Sequence, residues 1–204
     1  MSLALRRPTM TLADFLDWEA RQEGKWEFDG TAPVAIAGGS VAHAAIGRNL
    51  AISVGGRLRA RGGPCDFFGS DLKLVLAETS RYPDGMVVCA PLDARASSAS
   101  EPTVVFEVLS PSTAETDRVA KAREYRDTPS VRRYVMLEQG RAAATVYARD
   151  ADDPARWSVT LLFEGDALAL PEAGIEVPMA ELYLGLDFGA PAAADATAAT
   201  AEAV

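Results

Sequence analysis

The stretch Tyr82–Tyr125 reads YPDGMVVCAPLDARASSASEPTVVFEVLSPSTAETDRVAKAREY. Its decisive segment is Thr103 to Leu109, TVVFEVL, a short apolar run rich in β-branched residues. That is the pattern of a strand covered on both faces. With a period of two, Val104, Phe106 and Val108 share one face, and Val105, Glu107 and Leu109 share the other. A carboxylate between Val and Leu on its own face is expected to be buried. An unpaired buried carboxylate costs several kcal/mol, roughly, so a cationic partner is expected. The candidates are a metal ion shared with Asp84, and Lys121 on the following helix. A structural ion pair with Lys121, Lys73 or an arginine is the competing reading.

Working outward, Ser110-Pro111-Ser112 breaks the strand, and a helix is expected from Ala114 or Asp117 to Arg126, ending before Pro129. On that helix Asp117 and Tyr125 stand four residues to either side of Lys121, on the same face. Asp117 reads as a first-turn acid favoured by the helix dipole before it reads as a site residue. Upstream, Tyr82-Pro83-Asp84-Gly85 puts Asp84 just before a strand at Met86–Cys89, although the tetrapeptide alone is also a good β-turn. Further back, Ser40 caps a long helix to about Arg61, with His43, Ile46, Leu50, Val54 and Leu58 at helical spacing. His43 on that stripe reads as a satisfied buried histidine before it reads as a base. A first helix over residues 11–22 starts at Thr11 with Asp14 three residues on. A hairpin over 25–37 turns at Asp29-Gly30 and carries Glu27, read as a surface residue.

Strands are further expected at Cys65–Phe68, Asp71–Leu76, Arg133–Glu138, Ala144–Arg149 and Trp157–Glu164, with an exposed loop over 91–101 and a small terminal helix over 178–184. Asp71 and Lys73 read as the polar face of a half-covered strand. The whole is an α/β (α+β) domain around one central mixed sheet flanked by helices. The domain is expected over residues 9–188, after a loose arm at 1–8 and before a disordered Ala-rich tail at 189–204.

Composition narrows the function classes. No apolar run approaches the roughly 18 residues that span a membrane, and no signal peptide is read at the start. A cytoplasmic setting is expected, with Cys65 and Cys89 as buried free thiols. The single histidine excludes multi-histidine metal sites. A net charge of −9 speaks against non-specific nucleic-acid binding, though not against a nucleic-acid enzyme with segregated charge. Arg48, Arg57, Arg59 and Arg61 cluster, as a solvated helix end or a phosphate-contacting patch. Two carboxylates on adjacent strands and one lysine suit Mg²⁺, a hard cation that takes oxygen ligands. They would form a minimal toolkit for phosphodiester hydrolysis.

The order of these residues resembles the Uma-type restriction-endonuclease family, within the PD-(D/E)XK nuclease superfamily. The resemblance spans roughly residues 9 to 185 and rests on TLADFLDWEA, WEFDG, AGGSVAHAAIGRNL, GSDLKL, YPDGMVV and LPEAGIEVPMAELY. Its most specific part lies in FEVLSPSTAETDRVAKAREYRDTPSVRRYVMLE. It implies a restriction-endonuclease-like core and a site that uses Mg²⁺ (or Mn²⁺) to hydrolyse DNA. Asp84 and Glu107 would be its metal ligands, Lys121 its catalytic lysine and Glu27 an auxiliary acid. The residue two after Glu107 is Leu109 where the superfamily has lysine, so that lysine has moved to position 121. Gly85 stands where a β-branched residue is expected and would loosen the strand start. A homodimer is expected because cutting both strands needs two sites. The alternative is a non-catalytic nuclease-like module that binds DNA or protein.

Overall fold

The expected buried strand is the centre of the molecule, which is described by a computed structural model over residues 10–36, 38–110 and 116–189, with backbone only for Asp117. In chain order the elements begin with α1 (Leu12–Glu19), β1 (Trp26–Phe28) and β2 (Pro33–Ala35). Next comes α2 (Val41–Leu50), which runs through a π-helical turn (Ala51–Gly55) into α3 (Gly56–Arg61). Strands β3 (Asp66–Gly69), β4 (Lys73–Val75), β5 (Ser80–Arg81), β6 (Gly85–Val88), β7 (Ser98–Ala99) and β8 (Pro102–Leu109) follow. A second π-helical turn (Asp117–Lys121) leads into α4 (Ala122–Asp127). The remainder is β9 (Arg133–Glu138), β10 (Ala143–Arg149), β11 (Trp157–Phe163), β12 (Ala167–Leu170), β13 (Ile175–Pro178) and α5 (Met179–Leu182). The expected arm at 1–8, the tail from 190 onward and the break at 111–115 lie outside the described residues.

The central sheet has the order β11-β10-β9-β8-β6-β3. Strands β8 and β9 run parallel and their neighbours antiparallel, which makes the sheet mixed. A parallel pair needs a long crossover, and α4 supplies it. Where one sheet was expected, the structure has two more: a five-stranded sheet, β2-β1-β5-β4-β7, and the β12–β13 hairpin. The five-stranded sheet was hidden because its strands are only two or three residues long, too short to show a period. Strand β7 also places buried Ala99 inside the segment expected to be an exposed loop.

The two faces of β8 differ as its alternation predicts. Val104, Phe106 and Val108 share a core with Ile46, Leu50, Val54 and Leu58 of the long helix, and with Leu168, Leu170 and Val177 of the last hairpin. On the other face, Val105 and Leu109 share a core with Leu74, Met86, Ala122, Tyr125, Tyr134 and Met136. Glu107 lies between them, 3% exposed.

Two local features correct the sequence reading. An added Cβ on Gly85 would lie 2.7 Å from Cζ of Phe67. The glycine therefore lets the Phe67 ring close over the strand start rather than loosening it. Cys65 and Cys89 form a disulfide, not free thiols. The β3–β6 register pairs Asp66 with Val88, and one more step outward puts the two cysteines opposite each other. Their separation of 24 residues in sequence gives no hint of that register. No helix among the described residues is long and apolar enough to cross a membrane.

Candidate active site

Strands β6 and β8 are antiparallel, with Gly85 opposite Phe106. One step further along that register, Asp84 faces Glu107. Directly opposed residues on antiparallel strands share a face, and like charges there repel. The sequence therefore puts two carboxylates together at the end of two buried strands, and the surroundings must compensate them.

Glu107 is compensated by the helix that follows it. Lys121 Nζ lies 3.0 Å from Glu107 Oε1, and the Tyr125 hydroxyl donates to the same oxygen at 3.0 Å. Residues 121 and 125 are one helical turn apart, so both reach the same point. Lys121 is itself 6% exposed. This answers how a lysine on the helix reaches back to the sheet. Burial, then the Glu107 charge, pushes the Tyr125 phenol well above its ordinary value, which keeps it protonated as a donor.

Asp84 Oδ2 accepts from the backbone N–H of Val108 at 2.7 Å and lies 3.2 Å from His43 Nε2. Ser40 caps α2 by accepting from His43 N at 3.1 Å, which fixes the histidine in the first turn. His43 is therefore partly exposed at the site, not a core histidine.

Glu27 is the largest correction. It is buried, not on the surface. One oxygen accepts from Tyr82 N at 3.0 Å and lies 3.4 Å from Lys121 Nζ. The other lies 3.3 Å from Arg81 Nη1. Arg81, which the sequence reading did not single out, also donates from Nε to Glu124 at 2.9 Å. Despite desolvation, its bonds and charge contacts with Glu124 and Glu27 hold the guanidinium protonated more firmly than usual. A chain of ion pairs thus runs Glu124–Arg81–Glu27–Lys121–Glu107.

Glu27, His43, Tyr82, Asp84, Glu107, Val108, Ser110 and Lys121 line one pocket of about 420 Å³. The structure thus brings together Asp84, Glu107, Lys121, Tyr125, Glu27 and His43. The Asp117 side chain lies outside the described residues. Lys73 pairs with Glu19 instead of Glu107, and Asp71 with Lys25 at 2.5 Å. Arg57 forks onto Glu181 at 2.7 Å, in a helix that packs on the opposite, Val104 face.

The donor set fits a hard divalent cation. Among the described residues no group of three His, Cys, Asp or Glu is arranged to hold a metal ion. Mg²⁺ needs fewer, since it often uses one or two carboxylates, with waters and substrate oxygens completing its shell. Glu27, Asp84, Glu107 and Glu124 outnumber the fixed cations Arg81 and Lys121 by two negative charges. Asp84 and Glu107 are the pair that would hold the ion.

Comparison with known proteins agrees with this fold. A family described as "Putative restriction endonuclease" (Uma2) matches residues 12–180. An uncharacterized protein of Synechocystis is 32% identical over 184 residues, covering 89% of this chain and 95% of the relative. A second uncharacterized Synechocystis protein is 30% identical over 139 residues, 64% of this chain and 75% of its own. A crystal structure from Anabaena variabilis, titled as "a putative nuclease belonging to DUF820", superposes with a TM-score of 0.66. It covers 85% of this chain and 97% of its own at 14% identity, a likeness of fold alone. The chain belongs to the Uma2 family.

Proposed function

We propose that this chain is a divalent-metal-dependent phosphodiesterase acting on DNA, with Asp84 and Glu107 as metal ligands and Lys121 as the catalytic cation. The observation that carries the reading is the buried Lys121–Glu107 contact of 3.0 Å in a pocket that also holds Asp84. Family membership supports a nuclease-like activity.

A bound Mg²⁺ or Mn²⁺ would supply charge stabilisation for the phosphoryl oxygens and acidify a bound water. The protein's own groups do the rest. Tyr125 and Lys121 both bond one oxygen of Glu107, which fixes the carboxylate's orientation. The Val108 N–H and His43 do the same for Asp84. Glu27, itself fixed by Arg81 and Tyr82 N, steadies the Lys121 ammonium beside the pocket. From there Lys121 orients the attacking water or neutralises charge on the phosphorane-like transition state. Cutting both strands of a duplex takes two such sites and hence two copies of the chain.

The test is incubation of supercoiled, linear, single-stranded and branched DNA with Mg²⁺ or Mn²⁺, using wild type, Glu107→Gln and Lys121→Met. Circular dichroism verifies that each variant is folded. The expected outcome is metal-dependent cleavage by the wild type, reduced about 100-fold or more in both variants. Undiminished cleavage by Glu107→Gln would overturn the assignment. No cleavage and no metal binding by the wild type would leave a nuclease-like binding module instead.

A further inference from the structure

Strand β11 is the outermost strand of the central sheet, so among the described residues it has a neighbour on one side only. The bonding direction follows from its register with β10. Asp150 N donates to Arg156 O, while Ala143 N turns to Arg141 O although Ala143 is the partner of Phe163. Peptide groups of 158, 160 and 162 therefore face β10, and those of 157, 159, 161 and 163 face outward. Phe163 is already engaged on that side, donating to Asp166 Oδ2 at 2.8 Å and accepting from Asp166 N at 2.9 Å. Trp157, Val159 and Leu161 carry their outward peptide groups along the open edge.

Proteins blunt such edges with shortness, proline or charge. The other edges here carry these devices. Strand β2 begins at Pro33, and β3 has four residues, starts at Asp66 and is stapled beside the Cys65–Cys89 disulfide. Strand β11 has seven residues, WSVTLLF, with no proline and no charge. Val159, Leu161 and Phe163 on one of its faces are 56%, 60% and 52% exposed.

The geometry points to β11 as a homodimer interface, in which two copies pair antiparallel through this edge about a two-fold axis at Thr160. The strand's own sequence selects a second copy as the occupant. A two-fold at Thr160 sets Val159 against Leu161, Trp157 against Phe163 and Thr160 against itself, and aromatic pairs and Thr–Thr pairs are favourable cross-strand neighbours. Just beyond the strand ends it sets Arg156 of each copy against Glu164 of the other, with opposite charges at both rims and both residues exposed. Outward-facing Val159 and Leu161 become bonded partners, Trp157 and Phe163 meet through their rings alone because the Phe163 peptide groups are held by Asp166, and the four side chains of both copies join into one apolar stripe. This arrangement does not depend on whether the pocket cleaves anything. If it does, the two copies of β8 lie seven strand spacings apart along the joined sheet, about 34 Å. Both sites then open on the same face of that sheet, about one turn of a DNA duplex apart.

Sedimentation equilibrium on the full chain tests the interface, with Leu161→Lys, Arg156→Glu, Glu164→Arg and the double charge exchange beside the wild type. A wild-type dimer is expected. Leu161→Lys should be monomeric at the same concentration, each single charge change should weaken the dimer several-fold, and the double exchange should restore it. Thr160→Cys should cross-link on mild oxidation, since directly opposed Cα atoms in such a pair lie within disulfide reach, and Ser158→Cys should not. A monomeric wild type would overturn the proposal. So would a dimer that survives Leu161→Lys and fails to cross-link through position 160.

Discussion

The two faces of strand β8 are buried alike and built from opposite chemistry. Val104, Phe106 and Val108 pack into a cluster of apolar side chains from the long helix, the sheet and the last hairpin. Two thirds of the other face is equally apolar, but Glu107 stands in its middle and draws in Lys121, Tyr125, Glu27 and Arg81. The first face gains stability from every residue it buries. The second gives some of that up, because charges removed from water recover their desolvation cost only in part through pairing. The difference marks out the candidate site: apolar residues at 107, 121 and 125 together would complete the second core, and the chain carries a carboxylate and its two donors there instead.

Substitutions at matched depth sharpen the contrast. Phe106→Ala removes a fully buried ring from the apolar face and should cost about 3–5 kcal/mol in chemical denaturation. The combined change Glu107→Leu, Lys121→Met and Tyr125→Phe removes the buried charges and their donor together. It should leave stability unchanged or raise it by about 1–4 kcal/mol, as for other buried ion pairs replaced by apolar residues. A loss of stability comparable with that of Phe106→Ala would break the comparison, since the charged cluster would then be structural cement.

The smallest effect concerns pH. Tyr125 and Tyr82 have folded-state ionisation raised above the ordinary value near 10. Burial acts first on both, reinforced by Glu107 for Tyr125 and by Glu19 for Tyr82. A raised folded value means a contribution that is complete below about pH 10 and lost as pH climbs through the folded value. Ultraviolet titration of the phenols should therefore show these tyrosines ionising late, close to alkaline unfolding. In Tyr125→Phe the late fraction should shrink by one residue.

Much of this was legible in the sequence, for definable reasons. The alternation TVVFEVL gave the two faces of β8, and a carboxylate among valines announced that it needed a partner. Lys121 and Tyr125 were visible because a helix repeats near four residues. Glu27 was misread because nothing local distinguishes a glutamate on a buried three-residue strand from a solvated one. Its burial depends on Phe28 pairing with Ser80, more than fifty residues away, and on Arg81 arriving with that pairing. Arg81 gave no signal at all, since the segment around it read as a turn. His43 was placed on the correct helix but on the wrong side of the balance between core and site. The β12–β13 hairpin did leave a trace, with Leu168, Leu170, Ile175 and Val177 alternating around Pro171 and Gly174.

The most direct test of the central claim, that the charged face is a metal site rather than a structural ion-pair cluster, is calorimetric titration of the folded chain with Mn²⁺. The account predicts saturable binding in the wild type and its loss in Asp84→Asn, with the fold and thermal unfolding otherwise intact. No heat of binding in the wild type, or the same affinity in Asp84→Asn, would contradict it.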